Sequence, residues 1–154
     1  MRVLLDTNVY ISYLLAPTEG RHPNTIVEAA FSGHITLLVS QRLVDELVSR
    51  VTTKPYLAQR ITREDLQDLI AAIRGVAELF DDFPDELPRV GNDRDDDYLF
   101  AHAAIERPSC IVSGDGGMQR VGEIDGIPIL TPARFVQVLK ELGILESDQN
   151  DLGS

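Results

Sequence analysis

Three aspartates stand where a folded chain could bring carboxylates together. Asp6 ends the apolar run Val3-Leu4-Leu5, and Asp115 follows Ile111-Val112 and Ser113-Gly114. Each is followed by residues that do not continue a strand, Thr7-Asn8 in one case and Gly116-Gly117 in the other. Asp96 lies in the run Asp93-Arg94-Asp95-Asp96-Asp97, and Leu99, Phe100 and Ala103 come three, four and seven positions after it. That spacing puts Asp96 at the head of an apolar helical stripe. Asp95 and Asp97 are rotated about 100° to either side of it. If the two strands are central and parallel, Asp6 and Asp115 emerge at one sheet edge, where ligands of open α/β sheets bind. Carboxylates that converge without basic neighbours must be protonated, solvated or neutralised by a cation. Oxygen-only ligand sets select hard ions such as Mg²⁺ or Mn²⁺. Such an ion can position a water, lower its pKa and stabilise charge on a phosphodiester.

Plainer readings stand beside this one. Ser113-Gly114-Asp115-Gly116-Gly117 also reads as a turn, and Asp93 as an N-cap with acids in the first turn complementing the helix dipole. Dipole and cap do not explain why Asp96 occupies the core-facing row. On the helix after Ser40, Asp45 and Glu46 flank the apolar stripe at similar angles; periodicity does not choose between them, and an exposed Glu is the default. The ligands available argue against a zinc site: Cys110 is bound in a strand and His22, His34 and His102 are scattered. His102 reads as a surface helix residue. No Walker-type glycine loop and no paired dinucleotide fingerprint is present.

The elements that must position these residues alternate. Val3 to Leu5 is a strand, Val9 to Leu15 a short helix stopped near Pro17, and Thr18 to His22 a polar loop. A helix opened by Pro23-Asn24 carries Ile26, Val27, Ala30 and Phe31 to Gly33. Ile35 to Val39 is a strand, and Ser40 caps a helix bearing Leu43, Val44, Leu47, Val48 and Val51. Lys54-Pro55-Tyr56 reads as a loop. Thr62 caps a helix with Leu66, Leu69, Ile70 and Ile73, ended by Gly75, and Val76 to Phe80 leans toward strand. After an acidic loop from Asp81 to Val90, a helix runs from about Asp95 to Glu106. Ile111-Val112 is a strand, Met118 to Val121 a helical turn, and Ile127 to Leu130 the last strand. Pro132 opens a closing helix along Phe135, Val136, Leu139 and Leu142 to Gly143. The alternation predicts an α/β fold, a mostly parallel central sheet with helices on both faces. Residues 1–143 read as one domain and residues 144–154 as a polar tail that frays.

Composition bounds the setting. With 44% hydrophobic and 25% charged residues the 154-residue chain has the balance of a globular protein. No apolar run approaches the roughly 20 residues that span a bilayer, the start is not a secretory signal, and a lone cysteine suits a reducing cytoplasm. The net charge of −11 argues against tight non-specific nucleic-acid binding, but it is uneven. Arg42 to Arg74 holds six bases against five acids, whereas Glu78 to Asp97 holds nine acids against two bases.

Taken in order, Asp6-Thr7-Asn8 after the first strand, Ser40 through Glu46-Leu47 on a helix, Asp96 heading a helix and Ser113-Gly114-Asp115 nineteen residues beyond Asp96 resemble the PIN-domain family. Within it the chain is most similar to the toxin-like branch related to VapC-type toxins, from Arg2 to about Leu142. The resemblance implies a three-layer α/β/α sandwich and a single-strand-specific, Mg²⁺- or Mn²⁺-dependent ribonuclease of a toxin–antitoxin pair. Residue by residue it implies an acidic centre of Asp6, Glu46, Asp96 and Asp115, and it is what selects Glu46 over Asp45. Asp6, Asp96 and Asp115 would hold the metal, with Glu46 as ligand or water-orienting group and Asn8 and Ser113 as hydrogen-bonding supports. Many members carry another acid two residues after the fourth carboxylate, where this chain has Gly117. The family also implies an antitoxin partner and a homodimer or higher homo-oligomer. A rival expectation, favoured by Gly117 and the acidic total, is a PIN-like module that acts by protein contact.

Overall fold

A computed structural model of the chain describes residues 1–81 and 94–147, residues 94–97 as helix backbone alone. In chain order the elements are β1 (Arg2–Leu5), α1 (Thr7–Leu15), α2 (His22–Phe31), β2 (Thr36–Val39), α3 (Gln41–Thr53), α4 (Pro55–Arg60), α5 (Arg63–Val76), β3 (Glu78–Leu79), α6 (Arg94–Glu106), β4 (Cys110–Val112), α7 (Gly116–Val121), β5 (Glu123–Ile124), β6 (Ile127–Leu130) and α8 (Pro132–Glu141). The expected acidic loop from Asp81 to Val90 and the Asp93 cap lie outside the described residues, apart from Asp81, as does most of the polar tail.

The strands form one six-stranded sheet in the order β3-β2-β1-β4-β6-β5, parallel throughout except where β5 meets β6. Val3-Leu4-Leu5, Leu37-Leu38-Val39 and Cys110-Ile111-Val112 are buried at every position. Such unbroken apolar runs are what a parallel sheet covered on both faces requires. From β1 the chain steps to β2 and β3 on one side, then returns past them to β4. Right-handed crossovers therefore put α6 on the face opposite α1 and α2, giving three layers. The α/β sandwich expected from the alternation is the fold observed.

Several local expectations are corrected. Lys54-Pro55-Tyr56 is not a loop: Pro55 is the first residue of α4, a position where its missing N–H and fixed φ cost nothing. Gly75 does not end α5, which continues to Val76 and closes with the Ala77 N–H on the Ile73 carbonyl at 2.8 Å. Between Val76 and Phe80 only Glu78–Leu79 is strand. A short strand, β5, was not foreseen; Asp125 and Gly126, both at positive φ (50° and 82°), turn it back onto β6. Leu142 lies past the end of α8 and is exposed, while Gly143 at φ 74° lets Ile144 and Leu145 fold back on the core.

Candidate functional site

The site grows from one register. Leu5 on β1 pairs with Val112 on β4, so the residues that follow them, Asp6 and Ser113, leave the sheet side by side. β1 and β4 are also where the strand order reverses direction, the crevice in which open α/β sheets bind ligands. Ser113 Oγ donates to Asp6 Oδ2 at 2.8 Å, and Asn8 Nδ2 donates to the same oxygen at 3.0 Å. Thr7 Oγ1 reaches Asp6 Oδ1 at 3.4 Å. The bonds continue into the second loop: the Asp115 N–H donates to Ser113 Oγ at 3.0 Å, and the Gly114 N–H to Asn8 Oδ1 at 3.2 Å. Asn8 and Ser113 therefore join the two strand-end loops through their side chains.

Asp6 is 3% exposed, and burial raises its carboxyl above the usual value. The Ser113 hydroxyl, the Arg50 charge and the Asn8 and Thr7 amides pull it back without cancelling that rise. Asp115 is exposed, and its Oδ2 caps α7 by accepting the Met118 N–H at 3.0 Å. A Cβ at Gly117 would stand 3.0 Å from that oxygen. Asp115 thus acts as a helix cap and keeps its carboxylate exposed to solvent.

On α3 the two acids separate. Asp45 is exposed and accepts from Gln41 Nε2 at 2.8 Å. Glu46 is half-buried, with Oε1 2.9 Å from Arg50 Nη2 and Oε2 accepting from the Tyr98 hydroxyl. Because Arg50 also acts on Asp6, Glu46 belongs to the Asp6 edge of the molecule. Asp96 lies in the first turn of α6, but its side chain is outside the described residues. Among the described residues no three carboxylate, imidazole or thiol groups gather closely enough to hold a metal ion, a count that does not include Asp96.

Arg50, Tyr98 and His102 were not foreseen as part of this framework. Arg50 is four residues after Glu46, the helical spacing at which opposite charges meet, so the sequence did carry a signal for it. His102 is not a surface residue. It is fully buried on α6, its Nε2 2.9 Å from Ser40 Oγ, with its ring edge-on to Phe80 and Tyr98. Ser40 also caps α3 by accepting the Leu43 N–H at 3.2 Å. The Ser40–His102 pair thereby fixes α6 against α3, next to the Tyr98–Glu46 bond.

The donors suit a hard cation. Asp6, Glu46 and Asp115 offer oxygen only. Cys110 is buried in β4 with its thiol pushed up to about 12 by burial, which removes the one soft ligand. The buried, under-compensated charge of Asp6 is the feature a bound cation would relieve.

A family model described as PIN domain matches residues 2–116. No curated protein matches the sequence. Among solved structures, VapBC2 from Rickettsia felis bound to a DNA fragment from its promoter aligns with a TM-score of 0.54 at 18% identity, over 85% of this chain and 98% of that one. PAE2754 from Pyrobaculum aerophilum aligns with a TM-score of 0.56 at 12% identity, over 92% of this chain and 90% of that one. At these identities the two structures share the fold with this chain.

Proposed function

The chain belongs to the PIN-domain family, and from that premise we propose that it is a divalent-metal-dependent endoribonuclease, the toxin of a toxin–antitoxin pair, acting in the cytoplasm through a single domain over residues 1–143. PIN domains are generally nucleases. The observation that carries the reading is Asp6: a buried carboxylate at the strand-order reversal, held by Asn8 and Ser113, with burial outweighing every hydrogen bond it receives. A buried negative charge kept in a fixed geometry is a cation site in waiting.

Asp6, Asp96 and Asp115 would hold Mg²⁺ or Mn²⁺. When bound, the ion supplies Lewis-acid stabilisation of the phosphodiester and a more acidic water. The protein's own groups do the positioning. Ser113 and Asn8 fix the Asp6 carboxylate and couple it to the Asp115 loop. Arg50 and Tyr98 fix both oxygens of Glu46, which would accept a proton from, or orient, the attacking water.

Cleavage of a panel of single-stranded RNAs with and without Mn²⁺ tests this. Asp6→Asn is expected to abolish cleavage while leaving the fold intact; undiminished Mn²⁺-dependent cleavage by that variant would remove Asp6 from the site. The solved VapBC2 neighbour supports a cognate antitoxin. The net charge of −11 suits an arginine-bearing antitoxin segment reaching the carboxylates. A homodimer or higher homo-oligomer is proposed from family membership alone. The same acidity favours one rival, a PIN-like module that binds protein without cutting RNA. An unchanged melting temperature across a low-millimolar Mn²⁺ titration, with no cleavage, would select the rival.

A further inference from the structure

The carboxylate edge uses Glu46 and Arg50 and leaves the second half of α3 and all of α4 without a role. From Leu47 to Arg63 the chain carries four bases, Arg50, Lys54, Arg60 and Arg63, and no acid, in a molecule of net charge −11. The bases run outward from the site. Glu46, Arg50 and Lys54 are spaced by four, along one ridge of α3, and the helical rise puts Lys54 about 12 Å from Glu46. Lys54 closes α3 and opens α4.

α4 is anchored from below by Leu57, with Ile61 just beyond it, both buried. Tyr56 is 57% exposed, and the Arg60 guanidinium carbon stands 4.7 Å from the centre of its ring. Among the described residues Lys54, Arg60 and Arg63 form no ion pair. An aromatic ring left in water beside unpaired cations is the combination that holds single-stranded nucleic acid, where bases stack on rings and phosphates meet the charges. An acidic peptide would use the cations and leave the ring idle.

The geometry points to α4 as a stacking platform for the RNA strand that enters or leaves the carboxylate edge. Tyr56, backed by Arg60, takes a base, and Lys54 meets a phosphate on the way to Arg50 and Glu46. Stacking of this kind is sequence-tolerant, so the platform sets grip on the strand and not the choice of cleavage site. The inference rests on the ribonuclease reading above.

The test separates the two. In the non-cleaving Asp6→Asn protein, binding of a fluorescein-labelled single-stranded 15-nucleotide RNA is followed by anisotropy at several salt concentrations. Tyr56→Ala is expected to weaken binding about ten-fold and Tyr56→Phe to restore it, since the ring and not the hydroxyl does the stacking. Lys54→Ala with Arg60→Ala is expected to lower the slope of log K against log salt by about 1.4, for roughly two phosphate contacts. Thermal midpoints of all three exposed-residue variants should match the parent. RNA binding unchanged by Tyr56→Ala, or a salt slope unchanged by the double variant, overturns the platform. Loss of binding to a poly-glutamate peptide with RNA binding retained overturns it in favour of an acidic protein partner. A protein with Asp6 intact that fails to cut the RNA overturns the ribonuclease reading, while the anisotropy arm still decides the platform.

Discussion

At Asp6, burial and hydrogen bonding push the proton equilibrium in opposite directions, and burial wins. Between the ordinary carboxyl value of 3.8 and the raised value in the fold, the folded chain keeps a proton that the unfolded chain has released. This group's contribution to stability is therefore fully present below 3.8 and is lost as pH rises through the folded value. At neutral pH the charged Asp6 works against the fold. In EDTA at pH 7, Asp6→Asn is expected to unfold at the same urea concentration as the parent or a higher one, with the difference shrinking toward pH 4. A clearly lower midpoint for the variant at pH 7 would mean that the hydrogen bonds, not burial, dominate. Ser113→Ala moves the other way. It strips the 2.8 Å bond from Asp6 and the acceptor from the Asp115 N–H, and should cost about 1–3 kcal/mol in urea denaturation. The strand-end positions of Asp6 and Asp115 were legible because an apolar run stops just before each, at Leu5 and at Val112. Glu46 was not separable from Asp45 by periodicity, because what distinguishes them is Arg50 on its own helix and Tyr98 on another. His102 was misread because helical position alone does not reveal a partner such as Ser40, 62 residues away in sequence.

Helices and strands were legible in proportion to their length. α3, α5 and α8 each carry a full apolar stripe; the caps read from the sequence, Ser40 and Thr62, accept the expected backbone bonds, and Thr131, which was not singled out, caps α8 in the same way. α4 has six residues and one buried side chain, Leu57, too little for a period to show. β5 has two residues, so no alternation exists to detect, although Asp125-Gly126 is a strong two-residue hairpin signal. Both turn residues have positive φ, the requirement of a type I′ turn, and Gly126 has no Cβ to resist it. Gly126→Ala should therefore destabilise the protein by about 1 kcal/mol, whereas Asp125→Asn, which tolerates the same backbone, should stay within about 0.5 kcal/mol of the parent. Equal urea midpoints for the two variants would show that the hairpin does not depend on its turn. At the opposite, C-terminal edge of the parallel strands, Ser40 caps α3 and holds His102 on α6. Ser40→Ala should cost about 1–2 kcal/mol and, by loosening α6, lower cleavage as well as stability.

On the scale of the whole molecule, the strand order explains why the candidate site draws on distant parts of the chain. Reversal between β1 and β4 opens the crevice, the Leu5–Val112 register levels Asp6 with Ser113, and the tie between α3 and α6 brings Glu46 to the same edge. The same assembly buries the Asp6 carboxylate in a chain that already carries −11. A cation bound at this edge would stabilise the folded form alone, since only the fold holds Asp6 in its buried, hydrogen-bonded place. At a free Mg²⁺ concentration ten times Kd the gain is about 1.4 kcal/mol. For a domain of this size that raises the melting temperature by about 4 °C. General screening of the acidic surface would act alike for any salt, so NaCl at matched ionic strength should give a smaller shift. Asp6→Asn should keep the NaCl response and lose the Mg²⁺ increment. Equal shifts from Mg²⁺ and matched NaCl in the parent protein would reduce the site to diffuse screening, and the nuclease reading would lose its cation.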